Sequence, residues 1–219
     1  MNRPRVLLAD DHNLLLDGIK LMLEPEFDLV GCVSDGRALL DAAQELKPDL
    51  IMLDISMPVL NGIDAAVQLR KLLPTAKLIF VTMHGDADFV IEAFRAGAMG
   101  YVIKRAAASE LLTAIREVLN GNHYVSPLIT RGAIDYFLAA STLKSKLADT
   151  LTVRQREILQ LVAEGRSRKE IASILNLSVK TVEFHKASLM RQLHLRQTAE
   201  LTRYAIDHGV IASARSLAE

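Results

Sequence analysis

The sequence predicts a chain in two parts. The first is an α/β unit on a five-stranded, parallel, doubly wound sheet, and the second is an all-α unit of four helices. Three observations carry this. Short β-like runs alternate with helical apolar spacing over residues 1–122, in the order βαβαβαβαβα. Such alternation with short connections builds a parallel sheet covered on both faces. Beyond residue 149, two Ser/Thr-x-x-Glu/Gln signatures each open a stretch of helical spacing. The charge is also divided: residues 144–219 hold 13 Lys/Arg against 8 Asp/Glu, and residues 1–143 hold 13 against 18. An acidic front and a basic back imply two domains with different partners.

Taken in order, Arg5–Ala9 is a β-like run that ends in Asp10-Asp11. Leu14–Leu23 follows, with Leu15, Ile19, Met22 and Leu23 on one helical stripe. Phe27–Val33 reads as the second strand and Gly36–Leu46 as the second helix. Pro48 precedes the third strand, Asp49–Leu53. Ile63–Leu73 is helical and stops before Pro74. Leu78–Thr82 is the fourth strand, and Asp88–Ala96 a helix closed by Gly97, a suitable C′ residue. Gly100–Lys104 is the fifth strand, and Glu110–Leu119 the fifth helix.

Open parallel sheets place ligands beyond the carboxyl ends of their strands. Four polar features fall at those ends: Asp10-Asp11, Asp54, Thr82 and Lys104. Clustered carboxylates repel one another unless a cation sits among them. Hard oxygen donors suit Mg²⁺. One carboxylate can then act as nucleophile towards a phosphoryl group. The metal and a lysine would neutralise charge on the phosphoryl oxygens, and the Thr82 hydroxyl could donate to them. Each residue also has a plain reading. Asp54, Asp10 or Asp11 could cap a helix, Thr82 could be an ordinary strand residue, and Lys104 a solvated strand end. Their joint placement at one sheet edge favours a site.

With these residues in view, the front half resembles the receiver domain of bacterial two-component response regulators, a flavodoxin-like fold. The resemblance spans about residues 3–122. It rests on Asp10-Asp11, on Asp54-Ile-Ser-Met-Pro-Val-Leu-Asn-Gly62, on Val81-Thr82-Met-His84, and on Ala96-Gly-Ala-Met-Gly-Tyr-Val-Ile-Lys104. It implies Asp54 as phosphoacceptor, with Asp11 and Asp54 as direct Mg²⁺ ligands. Asp10 would act through water, and the backbone carbonyl of Ser56 would complete the protein ligands. Lys104 would contact the phosphoryl group, and Thr82 and Tyr101 would form a switch pair. New charge on Asp54 would draw in Thr82 and Lys104, freeing space for the Tyr101 ring. An ordinary packed aromatic is the plain reading of Tyr101.

Residues 123–148 read as a linker with a helix inside it, Ile129–Leu143. It is either a spacer whose docking depends on phosphorylation or a passive connector. In the back half, residues 149–219, Thr152 and Gln155 form the first capping box, and Ser167 and Glu170 the second. Asn176-Leu177-Ser178 is a turn between two helices, and the second of these runs from Val179 to about Leu193. Two helices joined this way form a helix-turn-helix. Val179, Val182, Leu189 and Leu193 are expected to face the core. Lys180, Glu183, Phe184, Ala187 and Arg191 fall on the opposite side. An exposed Phe beside charges suits the DNA major groove, where Phe or Ala meets thymine methyls and Glu accepts from cytosine N4. Lys180, Thr181, His185, Lys186 and Arg191 are candidate phosphate contacts. A solvated or protein-binding helix pair is the plain alternative.

The runs Leu151-Thr-Val-Arg-Gln-Arg-Glu-Ile-Leu159, Lys169-Glu-Ile-Ala172 and Leu177-Ser-Val-Lys-Thr-Val-Glu-Phe-His-Lys186 resemble the LuxR-type DNA-binding domain over about residues 149–212. With the receiver, the chain resembles the NarL/FixJ class. Val153 stands where that class commonly has proline, and Glu183 and Phe184 occupy groove-reading positions that vary within it. The resemblance implies a transcription regulator, not an enzyme. A sensor histidine kinase would phosphorylate Asp54, and the protein would then dimerise and bind DNA. The fourth helix, Thr198–Ile211, would supply dimer contacts, with Leu201 and Ala205 as candidates or as domain core.

Other classes fit less well. A haloacid-dehalogenase-like phosphatase wants a second Asp where Ser56 stands, and neither a Gly-x-Gly-x-x-Gly nor a Gly-Lys-Ser/Thr loop occurs. The intact set Asp11, Asp54, Thr82 and Lys104 speaks against a receiver that no longer takes phosphate. No apolar run approaches bilayer-spanning length. The lone Cys32 excludes an internal disulfide, and residues 1–5 lack a signal-peptide layout, so a cytoplasmic location is expected.

Overall fold

The first unit is a parallel sheet whose strands end in short turns on a single edge. It comes from a computed structural model that describes residues 3–129 and 151–211. The chain divides into two compact units between Leu143 and Lys144. That division lies outside the described residues, as does nearly all of the expected linker helix Ile129–Leu143.

In the first unit the strands are β1 (Arg5–Ala9), β2 (Asp28–Val33), β3 (Leu50–Leu53), β4 (Lys77–Thr82), β5 (Gly100–Ile103) and β6 (Tyr124–Val125). The helices are α1 (Asn13–Leu23), α2 (Gly36–Leu46), α3 (Gly62–Leu72), α4 (Ala87–Ala96) and α5 (Ala107–Leu119). The sheet runs β2-β1-β3-β4-β5-β6, and every pair is parallel. Alternation along the strands splits the core into two layers. Leu7, Ala9, Ile51, Leu53, Phe80 and Tyr101 point to one side, packing with buried residues of α2, α3 and α4. Val6, Leu8, Leu50, Met52, Ile79, Val81 and Val102 point to the other, packing with α1 and α5. Because β1 lies between β2 and β3, the winding reverses there. A crevice at such a reversal is the usual ligand site of an open α/β sheet.

The sheet therefore has six strands among the described residues, where five were expected. β6 pairs with β5 through Gly100–Tyr124 and Tyr101–Val125. Two residues have no readable alternation, and only the free edge of β5 makes them a strand. The sheet thus continues past residue 122, and Ile129 is still buried against its core. A second difference concerns Lys104. β5 ends at Ile103, and Lys104 opens a one-turn 3₁₀ helix, Lys104–Ala106, that runs directly into α5. Neither Asp10 nor Asp11 caps α1. The N-cap is His12, which makes no side-chain capping bond.

The second unit contains α6 (Val153–Ala163), α7 (Arg168–Ile174), α8 (Val179–Gln192) and α9 (Thr198–Asp207). Both expected capping boxes form, Thr152 with Gln155 and Ser167 with Glu170. Ser178 caps α8 by accepting from the Thr181 backbone N–H at 3.0 Å. Asn176 in the turn before it has a φ of 52°, the left-handed conformation that Asn tolerates. Ile158, Leu161, Ile171, Val182, Leu189, Leu201 and Ala205 form the core.

Two face assignments are corrected. Val179 is 39% exposed, and Leu193 is half-buried at the C-cap of α8. Only Val182 and Leu189 of the expected four are fully buried. Val179 lies roughly 60–80° round the helix from them at 3.6 residues per turn, on the flank of the apolar stripe. Leu201 and Ala205 are both wholly buried, with α9 packed on α6. They hold the domain together and are not offered to a second copy.

Candidate functional site

Asp54 is carried to the sheet edge by β3. Its backbone N–H still donates to the Ala9 carbonyl at 2.9 Å, so the pairing with β1 extends up to the site. Its side chain is nearly sealed, with 3% exposure. Oδ1 accepts from the Ile55 backbone N–H at 2.7 Å, and Oδ2 accepts from Lys104 Nζ at 2.8 Å. Asp10 is also buried, and its Oδ2 lies 2.7 Å from the same ammonium. Lys104 thus bridges carboxylates from the ends of two neighbouring strands. Burial alone would lower the Lys104 pKa, but Asp54 and Asp10 outweigh it, and the net shift is upward.

Asp11 is more open and shares one ring nitrogen of His12 with Asp10. The His12 Nδ1 lies 2.8 Å from Asp11 Oδ1 and 3.0 Å from Asp10 Oδ1. Burial raises the Asp11 pKa. His12 opposes this, and the charges of Asp10 and Asp54 add to it. Donor atoms of Asp10, Asp11, His12 and Asp54 all lie within 4.8 Å of one another. The three carboxylates are hard oxygen donors and fit a Mg²⁺ ion held mainly by carboxylate and water.

Thr82 and Tyr101 are both wholly buried and meet through His84. The His84 backbone N–H donates to Thr82 Oγ1 at 3.4 Å, and Tyr101 Oη donates to the His84 carbonyl at 2.9 Å. The His84 ring reaches back towards the acidic cluster, with Nε2 2.8 Å from Ser56 Oγ, and packs on Phe89 with ring centroids 4.2 Å apart. Burial lowers its pKa, with Asp54 and Asp86 pulling the other way. A neutral ring offers one donor and one acceptor nitrogen. Burial also pushes the Tyr101 pKa up strongly, so the phenol stays a donor.

The structure brings Asp10, Asp11, Asp54 and Lys104 together at one edge, joins Ser56 to the His84 ring, and ties Thr82 and the hydroxyl of the core residue Tyr101 to the His84 backbone. Sequence reasoning missed His12 and His84 as members of the cluster. Their signals were a histidine directly after the acidic pair and one two residues after Thr82.

The loop after Asp54 holds strain. Val59 has a φ of 68°, left-handed and unfavourable for a β-branched residue. Substituting glycine removes that strain but adds unfolded-state entropy. Val59→Gly is expected to stabilise the first unit by about 1 kcal/mol, read as a higher urea midpoint. An unchanged or lower midpoint would contradict the assignment of strain to this residue.

In the second unit, Lys180, Glu183, Phe184, Ala187 and Arg191 share an exposed face of α8, and Phe184 is 64% exposed. Thr181, His185 and Lys186 are half-buried beside it. Lys186 Nζ donates to Thr198 Oγ1 at 2.9 Å, so its ammonium is tied to the start of α9. Glu183 is ion-paired with Arg168 of α7.

Comparison with known proteins agrees with both halves. Residues 6–116 match the family described as response regulator receiver domain, and residues 149–205 match bacterial regulatory proteins of the luxR family. The transcriptional regulatory protein MctR of Rhizobium johnstonii is 36% identical over 210 residues, covering 95% of each chain. The oxygen regulatory protein NreC of Staphylococcus aureus is 35% identical, covering 92% of this chain and 96% of its own. Among solved structures, the RcsB response regulator of Salmonella typhimurium superposes with a TM-score of 0.62 at 27% identity, covering 97% of this chain and all of RcsB. An RcsB–DNA complex superposes at 0.57 and 27% identity, covering 93% of this chain and 98% of that one. The parallel sheet with its acidic edge, the helix-turn-helix and these matches agree: the chain belongs to the luxR-type response regulators, DNA-binding transcription regulators of two-component systems with a receiver domain in front.

Proposed function

We propose that Asp54 accepts a phosphoryl group from a sensor histidine kinase, and that the new charge governs dimerisation and promoter binding by the second unit. The observation that supports this most is the buried Lys104 ammonium held between Asp10 and Asp54 at the point where the sheet winding reverses. A carboxylate oxygen of Asp54 forms the new bond to phosphorus as the donor's phosphorus–nitrogen bond breaks. Asp11, Asp54 and the Ser56 carbonyl are the proposed Mg²⁺ ligands, with Asp10 acting through water. A bound ion would supply positive charge to the phosphoryl oxygens. Lys104 and the Thr82 hydroxyl would serve the same oxygens.

His84 makes the proposed switch a connected unit. A shift of Thr82 towards Asp54 pulls on the His84 backbone, and that backbone holds Tyr101 Oη. In the second unit, α8 enters the major groove. Glu183, Phe184 and Ala187 face base edges there, and Lys180, Thr181, His185, Lys186 and Arg191 serve phosphates. RcsB is described both bound to DNA and as dimers on DNA. Because Leu201 and Ala205 are core, a dimer contact on α9 uses its outer face, where Ile206 is 38% exposed. We place the receiver at residues 1–129, past the expected end at 122, with the DNA-binding domain from 149 and the linker between. No helix among the described residues is long and apolar enough to cross a membrane, in keeping with action on DNA in the cytoplasm.

The test is phosphoryl labelling of the full chain from acetyl phosphate with Mg²⁺, followed by measurement of mass and DNA affinity. Wild type is expected to take label, dimerise and bind DNA at least tenfold more tightly, a coupling free energy of about 1.4 kcal/mol. Asp54→Ala is expected to take none. Label on Asp54→Ala, or labelled wild type with unchanged mass and affinity, would contradict the reading.

A further inference from the structure

Glu183 is the only acidic residue of α8, Val179–Gln192. A carboxylate on a face that meets phosphates is repelled by them unless a cation accompanies it. Here the cation comes from another helix. Arg168, the first residue of α7, places Nη1 on Glu183 Oε1. The backbone beneath Arg168 is fixed, because the Ser167–Glu170 capping box locks the start of α7 and Ile171 and Ala172 are buried. Both partners remain open, with side chains 64% and 48% exposed. Ion pairs this exposed contribute little to folding, so the pair's consequence lies at the surface it forms.

We infer that Arg168 is a specificity-positioning residue for DNA, which holds the Glu183 carboxylate as acceptor for a cytosine N4 amine while its remaining N–H groups meet a flanking phosphate. The inference rests on the proposed role of α8 as the helix that reads DNA. Two physical features carry it. A glutamate side chain on an exposed helix face samples several rotamers, and the guanidinium selects among them. Guanidinium is a planar fork whose donors exceed what one carboxylate oxygen uses, so it can serve Glu183 and a phosphate together. A cytosine amine is the matching donor for a carboxylate in the major groove.

The test selects sites from a randomised duplex library with the full-length protein, with and without acetyl phosphate. Wild type, Arg168→Ala, Arg168→Lys and Glu183→Gln are compared, and affinity for the wild-type site is followed against salt. Glu183→Gln is expected to lose the cytosine preference at one position of each half-site. Arg168→Ala is expected to relax that same position by about tenfold and to lower the salt slope by about one. Arg168→Lys keeps the slope but not the full base preference, which separates positioning from charge. A wild type that selects no sequence overturns both this inference and the role of α8. Wild-type selection with Arg168→Ala leaving that position unchanged, or relaxing a different one, overturns this inference alone.

Discussion

Lys104→Met is expected to destabilise the first unit by about 3–5 kcal/mol, the range for removing one partner of a buried ion pair. The reason is geometric. The Lys104 ammonium is 2.7 Å from Asp10 and 2.8 Å from Asp54, and all three side chains are 6% exposed or less. Methionine fills much of the same volume but leaves two buried carboxylates facing each other, with no cation between them. The pH profile supplies a second reading. The folded pKa of Lys104 is raised above 10.5, so its contribution is complete below the unfolded value and is lost as pH rises through the folded one. Wild type therefore loses this stability only in the alkaline range above about pH 10.5, and Lys104→Met lacks that alkaline limb. Because Mg²⁺ is proposed for the same acidic cluster, millimolar Mg²⁺ is expected to recover part of the loss. Urea melts at pH 7 and pH 11, with and without Mg²⁺, measure all three effects. An unchanged midpoint at pH 7 would sink the argument.

The second large effect is expected at Gly62. This residue begins α3, and a Cβ built on it would fall 2.0 Å from the Asp54 carbonyl oxygen and 3.1 Å from the Ile55 Cα. The obstacle is backbone, so no side-chain rotation relieves it. The Gly62 backbone N–H also donates to the Ile55 carbonyl at 2.8 Å, which holds α3 against the end of β3. Gly62→Ala is expected to cost about 3 kcal/mol, the upper end of the overpacking range. The clash bears on the residue that carries the proposed chemistry. Displacing Asp54 by about 1 Å is expected to slow phosphoryl uptake by roughly a hundredfold. Denaturation midpoints and labelling rates check the two parts. A folded Gly62→Ala with wild-type stability would show that α3 can shift without moving Asp54.

These two residues differ in how far the sequence exposes them. Gly62 closes the Asp54–Gly62 run that carries the resemblance to receiver domains, and it directly precedes the helical spacing of Ile63–Leu73. Lys104 was legible as a strand-end cation expected to meet phosphoryl oxygens, but not as a bridge between Asp10 and Asp54. Its bridging position needed β5 to stop one residue early and the chain to enter a 3₁₀ turn. His12 and His84 carried weaker local signals, because a histidine near a carboxylate in sequence says nothing about which ring nitrogen meets which group.

What the sequence determined by itself was everything set by local periodicity and chain-neighbour chemistry. That includes the alternation of strands and helices, the acidic groups at strand ends, both capping boxes, and the polar face of α8. Apolar spacing of two or 3.6 residues and capping within three residues are written along the chain, and burial then follows. Only the tertiary structure decided the sixth strand, the exposure of Val179, the burial of Leu201 and Ala205, and the pairing of Arg168 with Glu183. Each depends on an element distant in sequence. Tyr124 and Val125 are a strand because β5 has a free edge, and Leu201 is core because α6 covers it. Lys104 joins Asp54 across 50 residues of chain because β3 and β5 deliver their ends to one place.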